Sequence, residues 1–249
     1  MSERAGQTGS WISDARKRIY RNLKYRLIRP APPSAPFRFK GPVVVVGSAP
    51  VSHKPDGFDD SFSVISVNGS QSVITDWGVD APDITMMMFN QIEGTTPNAV
   101  EVRRVLTGQR TGALYVLLWR KDDRARLEEG LRAFDYSYDH LQIVDRYERM
   151  ALLDRVAGLR SLEMDADSKC SNGMNAVLFA LYNGAPAVII SGINPNSAGH
   201  AYNATGLARL HVQMDKVLIQ RLVDEGRPIF TADPAVSEDL GIPLWTGQA

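Results

Sequence analysis

A chain of 249 residues with 44% hydrophobic and 22% charged content has the composition of an ordinary globular protein, long enough for one sizeable domain and an appendage. Its single cysteine, Cys170, excludes an internal disulfide framework and a multi-cysteine zinc site, and no apolar run is long enough for a transmembrane helix. The zero net charge joins two opposed parts: residues 1–40 carry ten Lys/Arg against two acids, and the remaining 209 carry 18 against 26.

The basic part is read as an appendage, residues 1–40, ahead of a domain spanning 41–249. Within it Ile12, Ala15, Ile19, Leu23 and Leu27 fall on one helical stripe, with Arg16, Lys17, Arg18, Arg21, Lys24, Arg26 and Arg29 largely elsewhere. Residues 10–29 thus have the pattern of a helix lying on an anionic membrane surface. The same stripe is ordinary in helices packed on their own protein or on a second subunit, so a homo-oligomer stays open. No nucleic-acid-binding motif accompanies the charge, and nucleic acid is not expected as a partner. Pro30 to Pro36 ends the helix and is expected to act as a stiff linker. The N-terminus lacks a signal-peptide core, so the expected location is cytoplasmic, peripheral at the inner membrane face if the helix binds lipid.

After the linker, Val43–Val46 reads as a buried strand, and Gly47-Ser48-Ala49-Pro50 as a small-residue turn that lets a ligand approach the backbone. Phe62–Val67 makes a second strand ending in Asn68-Gly69-Ser70, and Ile84–Phe89 a third, closed by Asn90-Gln91. Leu114–Trp119 reads as a fourth strand and 120–160 as charged, mostly helical sequence. Ser171 to Tyr202 places a helix, a buried strand and a polar loop in succession. Met174, Val177, Leu178, Leu181 and Tyr182 recur at helical spacing until Asn183-Gly184, and Ala187–Ile190 is an unbroken apolar strand. Beyond that strand come Ser191, Gly192, Asn194, His200 and Tyr202, small and polar residues where a ligand would sit. A helix over 210–223, a strand over 228–231 and a short final helix complete the chain. The alternation implies an α/β fold, a three-layer α/β/α sandwich with a mostly parallel, Rossmann-like sheet.

Several of these segments, in this order, resemble the bacterial sialyltransferases of glycosyltransferase family 42, which have a variant of the GT-A fold. VVVVGSAP, Val43 to Pro50, resembles the family's first strand and turn; VISVNGS, Val64 to Ser70, its second strand with a nucleotide-contacting asparagine. SNGMNAVLFALYNGAPAVIISGIN, Ser171 to Asn194, resembles the TSG segment, the following helix and the strand ending in SGID. HVQMDKVLIQRL, His211 to Leu222, resembles the helix with the catalytic histidine. The likeness spans about 43 to 245. Ser48 stands where the family usually has asparagine and Asn194 where it has aspartate, and 195–210 is shorter than its substrate-covering lid.

The resemblance implies inverting transfer of a nonulosonic or 2-keto sugar acid, of sialic acid or Kdo type, from its CMP-activated donor to a hydroxyl of a glycan or glycolipid acceptor, in surface polysaccharide or lipopolysaccharide synthesis. It implies no metal cofactor. His211 is the candidate base, since an imidazole with a pKa of about 6.5 accepts a proton near neutrality; His200 is the rival and His53 a weaker one. Tyr202 matches a family tyrosine at the donor phosphate and is expected to assist the departing CMP. Gly47, Ser48, Asn68, Asn90, Ser171, Asn172 and Gly173 are expected to hold cytidine and phosphate, with Ser191, Gly192 and Asn194 as a small floor for the sugar. Two alternatives stand beside this. Asp165-Ala166-Asp167 is a DxD triplet of the kind that holds Mg²⁺ or Mn²⁺ in metal-dependent NDP-sugar glycosyltransferases. The other alternative is a non-catalytic sugar-nucleotide-binding assembly protein.

Overall fold

The computed structural model describes residues 3–165, 167–202 and 210–247, and side chains from residue 13 onward. The chain begins with α1 (Glu3–Ile28) and then enters an α/β body: β1 (Val43–Val46), β2 (Ser63–Val67), α2 (Gln71–Thr75), β3 (Ile84–Met88), α3 (Asn90–Glu93), α4 (Pro97–Leu106), β4 (Arg110–Leu117), α5 (Arg124–Arg132), β5 (Ser137–Val144), α6 (Arg146–Ala157), α7 (Asn172–Tyr182), β6 (Val188–Ser191), α8 (Val212–Asp224), β7 (Ile229–Thr231) and α9 (Pro234–Leu240). The strands form one seven-stranded sheet in the order β5-β4-β3-β2-β1-β6-β7. Every pairing is parallel.

Burial on both faces explains the apolar runs. Val43 and Val45 pack under α6, α7 and α8, whereas Val44 and Val46 pack with Ile74 of α2 on the other side. Leu114 and Val116 of β4 pack with Leu127 and Leu131 of α5 on that second side, so the sheet is the middle of three layers, as expected. The chain lays down β1 to β5 in one direction, then returns past β1 to add β6 and β7 on its other flank. The carboxyl ends of β1 and β6 therefore form the topological switch point of the sheet, where ligands of such folds gather.

Two expectations need correction. The stretch 120–160 is not helix alone: between α5 and α6 it contains β5, paired with β4 from Arg110↔Ser137 to Leu117↔Val144. β5 is the edge strand, and its Ser137, Asp139 and His140 are exposed, so polar residues on an edge masked the strand pattern. The Pro-rich segment is not a spacer. Pro32 and Pro33 are buried, the Tyr115 hydroxyl donates to the Ser34 carbonyl (2.6 Å), and the Ala35 amide donates to Asn183 Oδ1 (2.8 Å), which straps the segment to the body.

α1 also touches the body. Tyr25 packs against Met150 and Ala151 of α6, and its hydroxyl donates to Asp154 (2.9 Å). Arg21 donates to the carbonyls of Leu162 (2.8 Å) and Glu163 (2.6 Å).

Candidate active site

At the switch point β1 and β6 lie side by side, with Val46 opposite Ser191. The loops that follow stay in contact: Gly47 N–H donates to the Ser191 carbonyl (2.8 Å) and Ala49 N–H to the Gly192 carbonyl (2.8 Å). A Cβ on Gly47 would overlap the Gly192 carbonyl and Ile193 Cγ1, and Gly192 has φ +63°, so both positions require glycine. A buried carboxylate from the end of β7 fixes this junction. Asp233 Oδ1 accepts from the backbone N–H and from Nδ1 of His53 (2.8 Å each), and Oδ2 accepts from Gly192 N–H (2.7 Å).

Beside the junction opens a cleft of approximately 280 Å³. Gly47 and Ser48 after β1, Asn68 after β2, Asn90, Gln91 and Asn98 after β3, and Gly192 and Ile193 after β6 line it, with Ser171, Asn172 and Gly173 at the start of α7. Asn68 has φ +52°, a left-handed conformation that asparagine tolerates better than most residues, and its Oδ1 accepts from Met88 N–H (3.0 Å) and Asn172 Nδ2 (3.4 Å). A second amide chain runs from Asn98 through Gln91 to Asn90 (3.5 and 3.2 Å), while Arg103 holds the Gln91 carbonyl (2.8 Å). Two buried acceptors in this lining, Asn98 Oδ1 and Asn172 Oδ1, have no partner among the described residues. A buried polar atom without a partner costs about 1–3 kcal/mol, which a ligand N–H or O–H would recover.

The start of α7 is aimed at the same space. Ser171 caps the helix, its Oγ accepting from Met174 N–H (3.2 Å), and its own N–H donates to the buried Asp215 carboxylate (2.8 Å). The first-turn N–H groups of Asn172 and Gly173 have no acceptor within a helix, and such an end attracts anions. Just behind it, burial pushes the Cys170 thiol up to about 12, so it stays protonated near neutral pH.

His200 and His211 both line the cleft. His200 Nδ1 lies 2.7 Å from Ser48 Oγ, and the ring stacks on Tyr202 with centroids 5.4 Å apart and planes at 14°. His211 is the residue from which α8 starts, its side chain does not cap that helix, and Asp215 follows one turn later in the cleft lining.

The structure thus brings together Gly47, Ser48, Asn68, Asn90, Ser171, Asn172, Gly173, Gly192, His200 and His211. It places the other expected residues elsewhere. Tyr202 is buried behind His200 with its ring against Gly69, and it lines an adjoining depression with Pro50, Val51 and Ser72. Ser191 Oγ donates to the His53 carbonyl (2.8 Å) and serves the loop after β1 rather than the cleft lining. Asn194 folds its own loop, Oδ1 accepting from Asn196 N–H (2.8 Å). Asp165 and Asp167 are exposed and do not line the cleft; hydrogen bonds from Ser168 hold the Asp165 carboxyl below the usual carboxylate range. Among the described residues no group of three or more His, Cys, Asp or Glu is arranged to hold a metal ion. Residues 203–209 of the expected lid lie outside the described residues.

Sequence reasoning missed Gln91 as part of the cleft lining, and Asn98, Asp215 and Asp233 altogether. Asp215 carried a signal, since it stands four residues after His211 and therefore on the same face of the helix. Asp233 precedes Pro234 in the usual pattern of a helix start, but its carboxylate is spent on His53 and Gly192 and does not cap α9.

No protein-family model matches the chain, and no curated protein matches it by sequence. Solved structures do match. The chain is similar to the monofunctional alpha-2,3-sialyltransferase Cst-I from Campylobacter jejuni, with TM-score 0.51, 10% identity and coverage of 83% of this chain and 80% of that one. It is similar to the monomeric form of the sialyltransferase CstII from the same organism, with TM-score 0.50, 13% identity and coverage of 82% and 86%. At such identities the likeness is one of architecture: the chain has the fold of these sialyltransferases.

Proposed function

We propose that the chain is an inverting glycosyltransferase that transfers a nonulosonic or 2-keto sugar acid from a CMP-activated donor to a glycan hydroxyl, in surface polysaccharide or lipopolysaccharide synthesis. The observation that carries this reading is the cleft at the switch point, which sets a cluster of side-chain amides beside the N-terminus of α7. Amides suit the mixed donor and acceptor edge of cytosine and the ribose hydroxyls, and the unpartnered oxygens of Asn98 and Asn172 call for donors such as an exocyclic amine. The N–H groups of Asn172 and Gly173 suit the phosphate. The fold shared with two sialyltransferases supports the same reading.

In this reading His211 accepts the proton of the acceptor hydroxyl as that oxygen bonds to the anomeric carbon. The bond from this carbon to the phosphate oxygen breaks, and CMP departs with the electron pair. Negative charge growing on the phosphate is met by the α7 N–H groups and by the hydroxyl and imidazole donors of Ser48 and His200, with Tyr202 stacked behind the His200 ring, and the reading assigns no role to a metal ion.

Thermal unfolding with a panel of sugar nucleotides tests the donor class. A CMP-linked 2-keto acid present at a hundred times its dissociation constant stabilises the fold by about 2.7 kcal/mol. Protection by UDP- or GDP-sugars with none from CMP-sugars would overturn the reading.

A further inference from the structure

We propose that α1 seats the protein on an anionic lipid bilayer through a face pointing away from the body, with Ile19, Leu23 and Leu27 entering the lipid. The inference rests on how the helix is mounted and is independent of the cleft. Arg21 and Tyr25, which hold α1 to the body, lie on one side of the helix. Ile19, Leu23 and Leu27 recur on the opposite side, and their exposures are 61%, 55% and 79%, with Tyr20 beside them at 60%. A packed helix turns its apolar stripe inward; α1 is held by a polar and aromatic edge and leaves its apolar stripe outward.

Charge decides the occupant. Exposed Arg16 and Arg26 stand on or beside the stripe, in the segment with a surplus of eight positive charges. Apolar side chains flanked by cations match the acyl boundary and phosphate layer of an anionic membrane. A second copy would bring the same cations to a two-fold contact, where they repel. Among the described residues no helix is long and apolar enough to cross a membrane, so the contact is interfacial.

The test is flotation of the full chain with vesicles of equal parts phosphatidylglycerol and phosphatidylcholine, and of phosphatidylcholine alone, at low and high salt. The full chain floats with the anionic vesicles and far less with the neutral ones, and added salt weakens the association. Leu23→Glu with Leu27→Glu lowers partitioning by about tenfold or more, and Arg16→Gln with Arg26→Gln lowers it severalfold, while thermal midpoints stay within a degree or two of the parent because these side chains are exposed. Failure of the full chain to float, or equal flotation of the glutamate variant, overturns the proposal. So does light scattering that shows a dimer which the glutamate variant dissolves, because the stripe then belongs to a second copy.

Discussion

His211→Ala lowers kcat for sugar transfer by about 10²- to 10⁴-fold and leaves CMP affinity nearly unchanged. The proposed base stands at the start of α8 and lines the same cleft as the amides of Asn68, Asn90 and Asn98 without being one of them, so removing its ring takes away the proton acceptor and leaves the nucleotide's expected contacts in place. His200 is differently placed. Its Nδ1 is engaged with Ser48 Oγ and its ring is stacked on Tyr202, an arrangement suited to holding a donor group in position. His200→Ala is therefore the milder change in kcat and raises KM for the donor more. Steady-state rates and CMP titrations on both variants check this. Loss of transfer in His200→Ala with retention in His211→Ala would move the base to His200 and keep the donor class.

Asp233→Ala is the substitution with the largest expected effect on stability, about 3 kcal/mol or more. It strips the acceptor from the backbone N–H groups of both His53 and Gly192, and a buried donor left alone costs about 1–3 kcal/mol. The two loops it joins hold Gly47 against Gly192, so donor affinity falls as well. Asp233→Asn keeps one acceptor oxygen and loses less. His53→Ala loses only a half-exposed imidazole and changes stability by less than about 1 kcal/mol. Urea denaturation measures the series, and an unchanged slope with a lower midpoint identifies a loss of stability rather than a change of unfolded state. Wild-type stability in Asp233→Ala would show that the junction holds without its carboxylate.

The middle of the sheet was legible because its strands are parallel and buried on both faces, which leaves unbroken runs such as Val43–Val46 in the sequence. β5 was not, because an edge strand carries Ser137, Asp139 and His140 outward and loses that signature. The glycine turns after β1 and β6 were legible from small residues at strand ends, and the start of α7 from the Asn172-Gly173 pair, whereas its Ser171 cap came from the structure. Their roles were only partly so. Ser191 and Asn194 sit in the right loop, yet strand register turns Ser191 toward His53 and a local turn consumes the Asn194 side chain. Asp233 comes from a distant segment and joins the site only through the sheet's crossover order, which no local pattern states, whereas Asn98 joins through the turn from α3 to α4 that sets it beside Gln91. For α1 the stripe was legible but its mounting was not: the side that meets the body is set by Arg21 and Tyr25, not by the apolar residues.

The central claim is that the cleft at the β1–β6 switch point is a CMP site, and calorimetric titration of the full chain and of Asn172→Ala with CMP and with UDP, each with and without Mn²⁺, tests it most directly. The account predicts that CMP binds more tightly than UDP, that Mn²⁺ changes neither, and that Asn172→Ala weakens CMP by about tenfold, the loss of one buried hydrogen-bonding group. Preferential UDP binding strengthened by Mn²⁺, or CMP binding that Asn172→Ala leaves untouched, would contradict it.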